Sequence, residues 1–71
     1  MLIYTKHAKD RADFRDIKEI WIEHAIAKPT RLKDAKAGRK QAILKLNGEV
    51  ISVIYVKDDN NYVIVTVFWG E

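Results

Sequence analysis

Three basic side chains recur at helical spacing near the start of the chain. His7, Arg11 and Arg15 follow one another at intervals of four residues, so on a helix they share one side with Ala8, Ala12 and Phe14. This side is the one that we expect to face the rest of the protein. A histidine beside two guanidinium groups can move a proton next to a phosphate that the arginines bind. The alternative is structural, with arginine stems packed at the helix edge and His7 hydrogen-bonded within the fold.

A second group of basic residues occupies the middle of the chain. Asp34 is the only acidic residue between positions 28 and 45, whereas seven residues there are basic: Lys28, Arg31, Lys33, Lys36, Arg39, Lys40 and Lys45. A strip of this density attracts polyanions through counterion release, which makes nucleic acid the partner to test. The alternative is a solvated edge strand on which lysines prevent aggregation.

The residues from 39 to 69 predict three consecutive antiparallel strands that would support both basic groups. Residues 41–46 lead into Asn47-Gly48, the pair that favours a two-residue hairpin turn. Residues 50–56 and 62–69 are rich in β-branched and aromatic side chains, and the polar residues between them predict a turn. These two strands are apolar on both faces. Helices can cover one face, so the other requires a strongly curved sheet or a partner.

The first thirty residues predict a short strand and two helices. Residues 2–4 predict an edge strand, and Thr5 is a suitable N-cap for a helix over residues 6–14. Asp16 and Glu19 predict a capping box for a second helix, which ends at Ala27 because Lys28-Pro29 follows. After it, residues 30–35 predict a short strand or loop.

The predicted fold is a single α+β domain over residues 1–71, with two helices on one face of an antiparallel sheet. Its elements follow the order β-α-α-β-β-β-β. The predicted core consists of Ile17, Ile20, Trp21, Ala25, Leu44, Val53, Ile64 and Val67. We also expect His24 to pack in this core, because apolar residues surround it in the sequence.

Composition excludes several classes of site. The chain has no cysteine, and its two histidines are too far apart in sequence to form a recognisable metal-ligand set. No apolar run is long enough to span a membrane and no signal peptide is recognisable, so we expect a cytoplasmic protein. High charge of both signs with abundant Ile and Val indicates a thermophile source.

Several short motifs together resemble an uncharacterised family of small prokaryotic proteins. They are Thr5-Lys6-His7-Ala8, Arg11, Arg15, Pro29, Gly38-Arg39-Lys40 and Val65-Thr66-Val67-Phe68-Trp69. The pattern of that family is a Ser-Lys-His-Ala start, an Arg four residues after the His, a Glu-Arg-Gly-Ile turn and a Thr-Val-Tyr or Thr-Val-Trp end. The chain departs from it where Phe14-Arg15-Asp16 replaces Glu-Arg-Gly, and its Trp-Gly-Glu end lacks the C-terminal Arg or Tyr of RelE toxins.

The family is similar in arrangement to the RelE, ParE and BrnT toxins, which pack N-terminal helices on an antiparallel sheet. RelE-like and BrnT-like members cut RNA without a metal and are inhibited by an antitoxin, whereas ParE-like members act on gyrase. The resemblance therefore implies a toxin-like, RNA-interacting protein without a cofactor. Its partners would be RNA rather than DNA, and an antitoxin or a second copy on the uncovered sheet face.

In a metal-independent ribonuclease of this kind, His7 and Arg11 would be catalytic. His7 would accept the proton of the 2′-hydroxyl group, and Arg11 would stabilise the charge on the phosphate. The residues expected to bind RNA phosphates are Arg15, Arg39, Lys40 and Lys45. Arg39 and Lys40 would face His7 and Arg11 from the strand, so that the four residues form one cationic cleft. Tyr4, Tyr55 and Tyr62 are expected to stack on bases or to belong to the core. A non-catalytic module that binds RNA or protein remains the alternative to the enzyme.

Overall fold

A computed structural model describes all 71 residues as two helices packed on one five-stranded sheet. The elements are β1 (Leu2–Tyr4), α1 (Lys6–Phe14), α2 (Glu19–Ala27), β2 (Arg31–Asp34), a short 3-10 helix (Lys36–Gly38), β3 (Lys40–Leu46), β4 (Glu49–Asp58) and β5 (Asn61–Trp69). The strand order is β1-β5-β4-β3-β2. The predicted α+β fold and the predicted order of elements are confirmed. β1 runs parallel to β5 and makes the sheet mixed, whereas every other neighbouring pair is antiparallel.

Turn chemistry explains why the three long strands form a meander. Asn47 and Gly48 have φ angles of 23° and 85°, so both adopt the positive values that a tight two-residue hairpin turn needs. Asp59 has a φ of 56° in the second tight turn, between β4 and β5. A β-bulge interrupts the pairing of β4 with β5 between Ile54 and Tyr55.

The two helices begin differently from each other. Thr5 caps α1 as predicted, because its Oγ1 accepts a hydrogen bond from the Ala8 N–H at 3.0 Å. The predicted capping box at Asp16 is wrong, since the N-cap of α2 is Lys18 and makes no side-chain cap hydrogen bond. Asp16 instead ends α1 in a left-handed conformation with a φ of 54°, and the Ile17 N–H then donates to the Ala12 carbonyl at 2.9 Å.

The core lies between the helices and the sheet. α1 packs on β5 and β1, whereas α2 packs on β3 and β4. Six of the eight predicted core residues are buried: Ile17, Ala25, Leu44, Val53, Ile64 and Val67. Trp21 is half-buried, and the prediction that Ile20 is buried is wrong because its exposed fraction is 67%. Ile22 and Ala25 are the buried residues of α2 and face the sheet. Ile20 faces away from the sheet, because it lies about 200° around the helix from Ile22.

The outer face of the sheet, opposite the helices, is covered in part by the C-terminal residues. The Ser52 Oγ donates to the Gly70 carbonyl at 2.6 Å, and the Gln41 Nε2 donates to the Ser52 Oγ at 3.0 Å. No helix covers the rest of this face, where half-buried side chains remain: Ile54, Val56, Val63 and Phe68. None of the helices has the length and apolar character that crossing a membrane requires.

Candidate nucleic-acid interface

The rotation of α1 about its axis differs from the prediction. Ala8 and Ala12 are buried and face the sheet as predicted, whereas His7 is exposed and Phe14 has an exposed fraction of 79%. The prediction that His7 and Phe14 face the sheet is therefore wrong. The physical reason is the size of the alanines, because small side chains allow the helix backbone to approach the sheet closely. The larger groups then lie at its edge or in solvent.

Arg15 has a structural role in this arrangement. β1 pairs only with residues 62–64 of β5, so the remainder of β5 has a free edge. The Arg15 Nη1 donates to the Val67 carbonyl on that strand at 2.6 Å, and the Trp69 Nε1 donates to the Arg15 carbonyl at 2.8 Å. Thr5 Oγ1 likewise donates to the Val65 carbonyl at 3.3 Å. For Arg15 the geometry favours the structural alternative over a phosphate contact.

His7 and Arg11 remain together on the accessible side of α1. They are separated by four residues, so their side chains are neighbours on the helix surface. His7 is exposed and Arg11 is half-buried, and neither side chain forms a hydrogen bond or an ion pair within the protein. This pair can therefore contact a phosphate from solvent without first breaking an internal interaction.

The strand residues that were predicted to bind phosphates form a separate surface. Arg39 precedes β3, and Lys40 and Lys45 lie on it, while α1 covers β5 and β1. Because β4 separates β3 from β5, the strand that carries Lys40 is about 10 Å from the strand on which α1 packs. The structure thus brings His7 and Arg11 together and Arg39 and Lys40 together, on two surfaces rather than in one cleft.

The basic strip lies along the edge of the sheet formed by β2 and β3, which we call the basic edge. All seven basic residues between positions 28 and 45 are exposed. Lys40 Nζ donates to the Asp34 carboxylate, and Arg31 donates to the Glu71 carboxylate. The hydrogen bond from Lys40 lowers the pKa of Asp34, and the same contact raises the pKa of Lys40. The other five basic side chains form no ion pair, so they are available to a polyanion.

The tyrosines belong to the fold rather than to an accessible surface. Tyr55 is buried and meets Tyr62 edge to face, with ring centroids 5.6 Å apart. The Tyr4 hydroxyl is buried without a hydrogen-bond partner, and burial, with a smaller contribution from Glu19 and Glu23, raises the pKa of Tyr4 to about 12. These positions support the core alternative for the tyrosines.

Other aromatic and imidazole groups are more accessible than the sequence indicated. Trp69 has an exposed fraction of 38%, and it meets Trp21 edge to face at 6.0 Å. His24 is exposed, so the prediction that it packs in the core is wrong. Its spacing of four residues from Ile20 would have placed both on one side of α2, but only the structure identifies that side as the exposed one.

No cluster of three or more His, Asp or Glu side chains is arranged to hold a metal ion. The largest cavity, of about 510 Å³, lies where α1, α2 and β1 meet and is lined by residues that include Tyr4, Lys9, Asp13 and Glu19. Its lining carries both signs of charge, so the geometry does not favour one class of ligand.

Comparison with known families adds one finding. Residues 4–69 match the family model described as Domain of unknown function (DUF4258). Searches of curated proteins and of solved structures gave no match. Since the match extends over nearly the whole sequence, the chain belongs to the DUF4258 family.

Proposed function

We propose that this domain is a toxin-like, RNA-interacting protein that binds RNA through the basic edge and through the exposed side of α1. One observation carries the proposal. All seven basic residues of the strip are exposed, and five of them form no ion pair. Neutralising RNA phosphates with these side chains releases counterions, which provides affinity without sequence specificity. A cytoplasmic location follows from this proposal.

The salt dependence of binding tests the proposal most directly. A labelled single-stranded RNA should bind at low salt, and the logarithm of affinity should fall with the logarithm of salt by roughly 0.7 per phosphate contacted. Replacing Lys33 and Arg39 together by Gln removes two unpaired cations, so the slope should become shallower by about 1.4. The control replaces Lys9 and Lys57 by Gln, which changes the net charge equally away from both proposed contacts, because Lys57 lies on β4 and Lys9 lies about 200° around α1 from His7. No binding by the wild-type protein at low salt, or an equal effect of the control, would contradict the proposal.

A second candidate function is metal-independent cleavage of the bound RNA. It is favoured by His7, which is exposed beside the unpaired Arg11 and so can reach a 2′-hydroxyl group in solvent. His7 would accept that proton, and Arg11 would bind the phosphate on which negative charge develops. The leaving oxygen would take its proton from water.

The two histidines provide a matched test of cleavage. With a chelator present, His7→Ala should abolish cleavage but retain RNA binding, whereas Arg11→Ala should weaken binding. His24→Ala is the control, because His24 is also exposed but lies on α2, and it should leave the rate of cleavage per bound RNA unchanged. Wild-type protein that binds RNA without cutting it would support the non-catalytic alternative. Expressing the chain alone while following growth and RNA integrity tests the toxin-like proposal in cells.

A further inference from the structure

An apolar groove runs along the exposed side of α2 and the adjoining end of the sheet. It consists of two adjoining cavities of about 310 Å³ and 230 Å³, which share Trp21 and Leu46. We call it the tryptophan groove, and its apolar lining consists of Ile20, Trp21, Leu44, Leu46 and Trp69. Leu44 is buried whereas Ile20 is largely exposed. The groove therefore opens to solvent and has a packed interior.

The two indole rings are held in fixed positions. Trp69 is fixed by the hydrogen bond from its Nε1 to the Arg15 carbonyl, at 2.8 Å. Trp21 meets it at an interplanar angle of 68°, and the Lys18 Nζ lies 5.4 Å from the centroid of the Trp21 ring. Because the contact is edge to face, the rings do not cover each other's faces completely. Ring surface is therefore left for a flat aromatic ligand.

The charge around the groove favours an anionic ligand. Lys18 stands over Trp21, and Glu49 is the only carboxylate in the lining. Lys45 adds a second cation at this end of β3, with its side chain on the opposite face of the strand from Leu44 and Leu46. His24 and Asn47 add polar groups that can form hydrogen bonds. A purely apolar peptide would gain nothing from the lysines. A nucleotide uses both features, because its base stacks on aromatic rings while its phosphates contact cations.

We propose that the tryptophan groove binds an unpaired base of single-stranded RNA, with Lys18 at the adjoining phosphate. This inference rests on the proposed function and specifies its ligand as unpaired rather than duplex RNA. Stacking depends on the face of the base and not on its edge, so binding should be tolerant of sequence. In this proposal the tryptophans stack on the base, which was one of the two roles that the sequence left open for the tyrosines.

Intrinsic fluorescence provides a direct test, because the only two tryptophans of the chain both line the groove. The probes are an oligoadenylate of about eight nucleotides and an abasic sugar-phosphate strand of equal length. The oligoadenylate should quench the fluorescence, and the abasic strand should not. Anisotropy of labelled strands should still show that the abasic strand binds to the basic edge at low salt. A duplex of the same length should quench weakly, since its bases are already stacked.

Two matched pairs of variants localise the effect. Ile20→Glu places a negative charge at an exposed position of the groove and should weaken oligoadenylate binding about 10-fold, whereas Ile3→Glu, on the edge strand β1, should not. Lys18→Gln should reduce the quenching, whereas Lys57→Gln should leave it unchanged. Lys57 is a suitable control because it also stands over an aromatic ring, that of Tyr62, at 5.8 Å.

The outcomes separate this inference from the proposed function. Equal quenching by the two strands, or binding seen by anisotropy without any quenching, would overturn the groove inference while RNA binding remained. If neither strand binds at low salt, both proposals fail. Should the fluorescence respond to protein concentration rather than to oligonucleotide, the groove is a protein-docking surface and the inference is overturned.

Discussion

Replacing Arg15 by Ala should destabilise the fold much more than it impairs RNA binding. The variant loses the hydrogen bond from a charged guanidinium to the Val67 carbonyl, at 2.6 Å in a partly buried position. Hydrogen bonds of charged groups contribute about 1.5 to 3 kcal/mol, so we expect a loss of that size in the free energy of unfolding. For a domain of this length, each kcal/mol lowers the melting temperature by roughly 4 to 8 °C. The bond from Trp69 to the backbone of residue 15 is retained.

Urea unfolding followed by circular dichroism measures this change, with Arg11→Ala as the control. The Arg11 side chain forms no hydrogen bond, so its removal should change stability by less than about 0.5 kcal/mol. Below its melting temperature, Arg15→Ala should bind RNA within about twofold of wild type, because the guanidinium is already bound to the sheet. If the two variants prove equally stable, or if Arg15→Ala is fully stable and binds RNA poorly, the structural role of Arg15 is refuted.

Four further variants or measurements test other features of the fold. Tyr4→Phe removes a buried hydroxyl without a partner and should raise the free energy of unfolding by about 1 kcal/mol in urea. Folding raises the pKa of Tyr4 from 10.0 to about 12, so the contribution of the neutral hydroxyl to stability is complete below pH 10 and is lost as the pH rises towards 12. The stability of the Phe variant should not fall over this range for that reason. Asp16→Gly should raise the melting temperature, since glycine adopts a φ of 54° without steric cost. Trp21→Ala should cost about 3 kcal/mol, and an unchanged melting temperature would show that α2 is peripheral. The outer face of the sheet should support association with a second copy or an antitoxin, which light scattering detects; a monomer at high concentration that binds no apolar dye would contradict this.

The sheet could be predicted from the sequence because its signals are local. Asn47-Gly48 specifies a hairpin turn by its own backbone preferences, and runs of β-branched residues specify the strands on either side. The rotation of the helices could not be predicted equally well. α2 is apolar on most sides, so the periodicity of its apolar residues does not identify which side faces the sheet. The predicted core therefore includes Ile20, which the structure shows to be exposed. Asp16 fitted two local roles, the start of α2 or the end of α1, and only the packing of Ile17 decides between them.

The candidate site was harder to predict, because the role of each of its residues depends on contacts with residues far away in the sequence. Nothing near Arg15 in sequence indicates that its guanidinium binds a carbonyl 52 residues away. The same applies to Trp69, whose indole reaches back to the backbone of Arg15. The basic edge, by contrast, was recognisable from local composition, since a dense group of Lys and Arg residues stays exposed to solvent and is common on edge strands.

The structural role of Arg15 and the proposed roles of His7 and Arg11 support each other. α1 is tied to the free edge of β5 at both ends, through Thr5 at its start and through Arg15 at its end. These ties fix the rotation of the helix, so that its alanines face the sheet. The same rotation directs His7 outward and leaves Arg11 at the border between the helix and solvent. The three basic residues at intervals of four therefore differ in their roles, because Arg15 orients the helix whereas His7 and Arg11 are left accessible to solvent.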